Sequence, residues 1–201
     1  GARSTYDRHS ATMEQIKAAV IEKLAAVERE HHVRVVYCCE SGSRAWGFAS
    51  TDSDYDVRFI YARHPDWYLS VDLEDQRDVI DSQLDAVWDI NGWDLRKALQ
   101  LLRKSNPPLF EWLQSPIVYR EITPVAASLR SLLPLYFSPP ASMYHYLHMT
   151  QGNFKDHLHG ESVWVKKCFY ALRPLLACRW IERGLGVVPI EFQHLVSKTV
   201  D

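Results

Sequence analysis

Two adjacent residues able to approach a phosphate, Gly42 and Ser43, are followed after ten intervening positions by a pair of carboxylates, Asp54 and Asp56. A Gly-Ser pair leaving a strand can open a short helix whose free N–H groups and positive dipole end hold a triphosphate. Carboxylates at i and i+2 of a strand point to one face, which is what two metal ions on a single phosphate require. Acids this close repel each other and raise each other's pKa unless a cation sits between them. A divalent metal resolves the conflict, and Mg²⁺ suits it best because it favours carboxylate and phosphate oxygens and is seldom enclosed by protein ligands alone. Asp52-x-Asp54-x-Asp56 also matches the start of a calcium-binding EF-hand loop, but Val57 stands where that loop needs glycine and Arg63 where it needs glutamate. Asp52 reads as a turn or cap residue.

The elements that must position these groups follow from the flanking pattern. Val33 to Glu40 is β-branched and aromatic enough for a buried or half-buried strand, and Arg44 to Phe48 form one short helix before Ser50-Thr51-Asp52-Ser53 turns the chain. From Asp54 to Tyr61 the chain alternates: Asp54, Asp56 and Arg58 share a polar face, and Tyr55, Val57 and Phe59 share a core face. Arg44 and Arg58 lie within reach of phosphate, although Arg44 could equally pin a neighbouring acid. The next strand, Leu84 to Ile90, is expected to stop at the turn signal Asn91-Gly92, with Asp85 and Asp89 on one face. Asp94 reads as an acid at the N-terminus of a helix from Trp93 to about Lys104, which Asn106-Pro107-Pro108 ends. An earlier amphipathic helix, Ala11 to about Glu30, turns Met13, Ile16, Val20, Leu24 and Val27 inward.

The segment from Leu133 to Pro140 holds three prolines and is the expected domain boundary. Beyond it the chain reads as helical and mildly basic, with +2 formal charge over residues 141–201 against −4 over residues 1–140. A helix from about Ser162 to Arg183 stacks Lys166, Tyr170 and Arg173 along one stripe. Cations beside an aromatic suit a nucleoside triphosphate, while the competing reading is a solvated face with lysine stems lying on the core. The spacing leaves open which of Lys166 and Lys167 faces the cleft.

The block Gly-Ser-Arg-Ala-Trp-Gly-Phe with Ser-Asp-Tyr-Asp-Val-Arg resembles the polymerase-β-like nucleotidyltransferases. Together with Asp-Ile-Asn-Gly-Trp-Asp-Leu-Arg-Lys and Lys-Lys-Cys-Phe-Tyr-Ala-Leu-Arg-Pro-Leu-Leu, it is most similar to the branch associated with bacterial RNA-repair ligases. The resemblance covers nearly the whole chain from about residue 30. It implies that Gly42 and Ser43 hold the β- and γ-phosphates, that Asp54 and Asp56 bind two Mg²⁺ or Mn²⁺ ions, and that a third carboxylate comes from a later strand. The branch has an Asp just before Gly-Trp-Asp-Leu-Arg-Lys, which selects Asp89, with Asp85 in reserve. It also favours Lys166, Lys167 and Arg173 as nucleotide ligands beside Arg44. The branch runs somewhat longer than this chain, so the helical part is expected to be incomplete at its C-terminus.

With 201 residues, 47% of them hydrophobic, the chain can bury one good core or two small ones. No segment approaches the roughly 20 apolar residues of a membrane span, and no secretion signal opens the chain. Cys38, Cys39, Cys168 and Cys178 lack Cys-x-x-Cys spacing, which argues against zinc and for a reduced cytoplasmic protein. His145 and His148, three apart, read as surface residues rather than a metal pair. The expected fold is α/β, a small mixed-sheet nucleotidyltransferase domain over 1–137 followed by a helical substrate-binding domain over 138–201. The expected activity is transfer of a nucleoside monophosphate from an NTP to a hydroxyl of an RNA end, beside an RNA ligase. Alternatives are a protein or small-molecule hydroxyl as acceptor, or a nucleotide-binding sensor or antitoxin-like protein without turnover. Oligomeric state and base preference are not encoded legibly.

Overall fold

In the computed structural model, residues 11–51, 53–83, 87–157 and 165–200 are described. The first helix, α1 (Met13–His31), opens with a capping box between Thr12 and Gln15 and stops where His32 turns left-handed at φ 53°. Its buried stripe is Ile16, Val20, Leu24 and Val27. Met13, expected on that stripe, is instead 55% exposed, at the first position of the helix.

Five strands form one mixed sheet in the order β3-β4-β2-β1-β5. They are β1 (Arg34–Glu40), β2 (Tyr55–Ala62), β3 (Val79–Gln83), β4 (Trp88–Asp94) and β5 (Val118–Glu121). β2 and β4 run parallel; the other pairs are antiparallel. The period-2 alternation of β2 divides the two cores. Tyr55, Val57, Phe59 and Tyr61 pack with α1 on one face. Ile60 joins Tyr37 and Cys39 on the other, under α4 (Leu95–Arg103), α5 (Pro107–Leu113) and α6 (Thr123–Tyr136). The adjacent cysteines therefore fall in different cores, and both are buried free thiols.

β4 does not stop at Asn91-Gly92, as expected, but runs on to Asp94. Gly92 is there for close approach: a Cβ on it would lie 2.2 Å from the Phe59 ring across the β2–β4 pair. The helix accordingly begins at Leu95, and Asp94 caps it by accepting the Arg96 N–H at 2.8 Å. The proline-rich stretch, the expected domain boundary, holds the end of one helix and the start of the next. α6 continues through Pro134 to Tyr136, and α7 (Pro139–His157) starts three residues later.

α7, α8 (Val165–Glu182) and α9 (Phe192–Thr199) build a third apolar cluster around Tyr146, Ala177, Trp180, Ile181 and Leu195. Among the contacts that join it to the rest of the fold, two stand out. One is an aromatic plug: Phe48, just past the short helix α2 (Gly42–Trp46), stacks on Phe169 at 5.3 Å and meets Tyr170 and Phe192 edge-on. The other is a buried polar hub on Glu111 of α5. Its carboxylate accepts Arg173 Nη1 at 2.6 Å, the Tyr146 hydroxyl at 2.9 Å and the Trp46 indole N–H at 3.2 Å.

Candidate active site

The acids meet at the start of the parallel pair. Asp56 and Asp89 are direct partners in the β2–β4 register, and Arg58 pairs with Asn91 two residues further on. Parallel strands in register place same-face side chains in rows, so Asp56 and Asp89 stand side by side. Arg58 bridges them: Nη2 lies 2.7 Å from Asp89 Oδ2 and 3.7 Å from Asp56 Oδ1, while Nη1 donates to the carbonyls of Val57 and Asp89. Asp54 immediately precedes β2 and is exposed. Burial raises the Asp56 pKa; Arg58 opposes the shift, and Asp89 and Asp54 add to it.

The backbone of Asp56 is held from both sides. Its N–H donates to Glu40 Oε1 at 2.8 Å, and its carbonyl accepts the Ser41 N–H at 2.8 Å. Gly42 follows with φ +60°, and a Cβ on it would lie 2.1 Å from Asp56 Oδ2. Glycine is thus required twice here, for the left-handed backbone and for the carboxylate lying against it. Glu40 itself is fully buried, accepts the Tyr119 hydroxyl at 2.6 Å, and is pushed up to about 7, first by burial.

A second polar group lies beyond Gly42. The Ser43 hydroxyl is 3.4 Å from that of Ser53, Ser50 is 3.1 Å from Ser53, and Lys166 Nζ donates to Ser53 at 2.8 Å. Of the two lysines, Lys166 therefore turns to this serine group beside Gly42, while Lys167 is exposed. Arg44 turns away from it, pinning the carbonyls of Ser53 and Asp54 and lying 4.1 Å over the Tyr55 ring. Arg173 does not stand as a free phosphate ligand. It is 2% exposed, paired with Glu111 and hydrogen-bonded to the Ile190 carbonyl, because the stripe it shares with Lys166 dips into the joint between α5 and α8. Asp85 lies outside the described residues.

Between the acids and the helices is a cleft of about 530 Å³, walled by Trp46, Trp93, Trp112, Met149 and Tyr170 and floored by Gly42, Asp56, Arg58 and Asn91. Trp93 and Trp112 stack with ring centres 3.7 Å apart. This volume lies in the range of small-molecule sites. A hollow of similar size on the outer face of α4 carries no carboxylate and does not suit phosphate chemistry.

A family model described as "RNA repair pathway DNA polymerase beta family" matches residues 16–201. The chain belongs to this family. It is also similar to a Bacillus subtilis (strain 168) protein described as "Uncharacterized protein YcgL", with 50% identity over 185 residues, 92% of this chain and 70% of that protein. Membership in the RNA repair pathway DNA polymerase beta family agrees with the resemblance carried by the Gly-Ser and Asp-x-Asp blocks, and with the mixed sheet and helices.

Whether the acids suit the divalent cations that such chemistry implies can be judged from the donors. Among the described residues, no three His, Cys, Asp or Glu side chains converge as a ready cage. Mg²⁺ needs none, since it binds through one or two carboxylates with water and substrate phosphate. Asp56 and Asp89 in register, with Gly42 leaving room against Asp56, fit it.

Sequence reasoning did not find Glu40 or Glu111, although each left a signal. Glu40 ends an apolar strand, and Glu111 is the one acid in the otherwise apolar helix Pro107–Leu113. No helix among the described residues is long and apolar enough to cross a membrane.

Proposed function

We propose that this protein is a metal-dependent nucleotidyltransferase that moves a nucleoside monophosphate from an NTP to a hydroxyl of an RNA end, in a repair reaction that an RNA ligase completes. The observation that supports it best is the layout of the cleft. Asp56 lies on its floor with Asp89 beside it in register, and hydroxyls and an ammonium from Ser43, Ser53 and Lys166 gather next to Gly42.

Asp54, Asp56 and Asp89 would hold Mg²⁺ or Mn²⁺, which supplies charge to stabilise the transferring phosphoryl group. Ser43 and Lys166 bind the β- and γ-phosphates and take up the negative charge that grows on pyrophosphate as it leaves. Asp89 orients the acceptor hydroxyl and takes its proton. The hydroxyl oxygen bonds to the α-phosphorus, the bond from that phosphorus to the bridging oxygen breaks, and its electron pair departs with pyrophosphate. Trp46, Trp93 and Tyr170 keep water from the cleft and offer faces to a base or sugar.

The test is label transfer from each α-³²P-NTP with Mg²⁺ or Mn²⁺ to a pool of single-stranded RNAs, run beside Asp56→Ala. Labelled RNA that disappears with the variant is the expected result. Label that survives in Asp56→Ala refutes the site. Label reaching no RNA but appearing on added protein or small hydroxylated molecules refutes the RNA acceptor.

A further inference from the structure

Arg58 is an unusual neighbour for two acids meant to hold divalent cations. Its guanidinium is anchored by Nη1 to two backbone carbonyls, Val57 at 3.1 Å and Asp89 at 3.0 Å, which tie it to the acid row. Only Nη2 is spent on carboxylates, at 2.7 Å from Asp89 and 3.7 Å from Asp56. A guanidinium placed there neutralises the pair without metal and takes up Asp89 Oδ2, an oxygen that a cation would also use. Resting on the proposed two-metal reading, we infer that Arg58 is a placeholder cation: it holds Asp56 and Asp89 together in the metal-free protein and competes with the metal at Asp89.

The competition follows from charge and geometry together. Lys166 acts on Asp56 electrostatically and Glu40 accepts the Asp56 N–H, whereas the Arg58 guanidinium contacts both Asp56 and Asp89. Metal entry at Asp89 must break the Nη2 contact, while the Nη1 contacts keep the guanidinium poised at the rim. A freed Nη2 then faces the cleft, where the planar fork suits a substrate phosphate better than an ammonium would. Arg58 is thus a positioning residue that passes from carboxylates to substrate as the site loads.

The experiment measures Mn²⁺ binding without nucleotide, by electron paramagnetic resonance at pH 8, for the wild type, Arg58→Gln, Arg58→Lys and Asp56→Asn. Removing one positive charge within hydrogen-bonding distance of the ligand should tighten Mn²⁺ binding about tenfold in Arg58→Gln. Arg58→Lys, which keeps the charge but cannot hold both carbonyls and Asp89, should fall between. In thermal melts with chelator, Arg58→Gln should melt below the wild type and gain more than the wild type on adding Mn²⁺. Equal or weaker Mn²⁺ binding in Arg58→Gln overturns the placeholder role. Loss of wild-type binding in Asp56→Asn shows the metal site to be present in the same experiment; wild-type binding unchanged in Asp56→Asn removes the metal reading itself, which is a different failure.

Discussion

Gly42→Ala separates the two demands that the site makes on that position, because Gly47 supplies a matched control. Both glycines have positive φ, +60° and +89°, but a Cβ on Gly47 meets nothing within 4 Å, whereas one on Gly42 lies 2.1 Å from Asp56 Oδ2. Each substitution should cost about 1–2 kcal/mol for forcing an L-residue into the left-handed region. Only Gly42→Ala has a second consequence. The Asp56 carboxylate must retreat by about 1 Å to reach the shortest distance that a real Cβ tolerates, and its main chain is held by Glu40 and Ser41, so the side chain has to rotate away from Gly42 and out of its present place beside Asp89. A displacement of about 1 Å in a reacting constellation costs on the order of 10²-fold in rate. Urea denaturation should therefore place the two variants within about 1 kcal/mol of each other, while nucleotidyl transfer falls about a hundredfold in Gly42→Ala and changes little in Gly47→Ala. Transfer rates in the two variants that agree within threefold would refute the claim that Gly42 acts through Asp56.

Three further expectations rest on separate contacts. Lys166→Ala should raise KM for NTP about tenfold to a hundredfold, the worth of a charge-assisted phosphate contact, and Lys167→Ala less than twofold; equal effects in steady-state kinetics would unseat Lys166 as the phosphate ligand. Arg173→Met leaves Glu111 buried without its cation and should cost about 3–5 kcal/mol in urea unfolding, whereas adding Glu111→Gln should cost at least about 2 kcal/mol less than the two single losses combined. Glu40, raised from 4.5 to about 7 in the folded protein, makes the folded state bind its proton more tightly than the unfolded chain does. Stability measured in chelator should therefore fall by up to about 3 kcal/mol as pH rises from about 4.5 to about 7 and then level off, and Glu40→Gln should flatten that limb; parallel pH profiles for the two proteins would contradict the burial of an ionising carboxyl.

What could be read from the chain beforehand was local. The alternation that puts Asp56 and Arg58 on one face and Val57 and Phe59 on the other is a property of a single strand, and the structure keeps it. Asn91-Gly92 was misleading because the same two letters serve a turn or a close approach, and only the Phe59 ring on the neighbouring strand decides between them. Helical spacing likewise set Lys166, Tyr170 and Arg173 on one stripe, but a stripe has no depth coordinate. Arg173 goes under the surface because Glu111, 62 residues away in sequence, waits there. The pairing of Asp56 with Asp89 is also tertiary: it depends on a parallel register between strands separated by α3 (Pro65–Tyr68) and a hairpin strand.

Arg173 and Lys166 show how one helix serves two purposes that a charge count would merge. Seven residues apart, they differ in what holds them: Lys166 ends on serine hydroxyls beside Gly42, while Arg173 is locked to Glu111 and to the carbonyl of Ile190. The buried pair cannot bind substrate without abandoning a carboxylate that has no water to replace it. Its work is to fix where α8 crosses α5, and with the Phe48 plug that crossing determines how far Lys166 reaches. The cation proposed to meet phosphate is thus placed by one that is buried in an ion pair. Damage to the Glu111 hub should consequently appear as weakened NTP binding through Lys166.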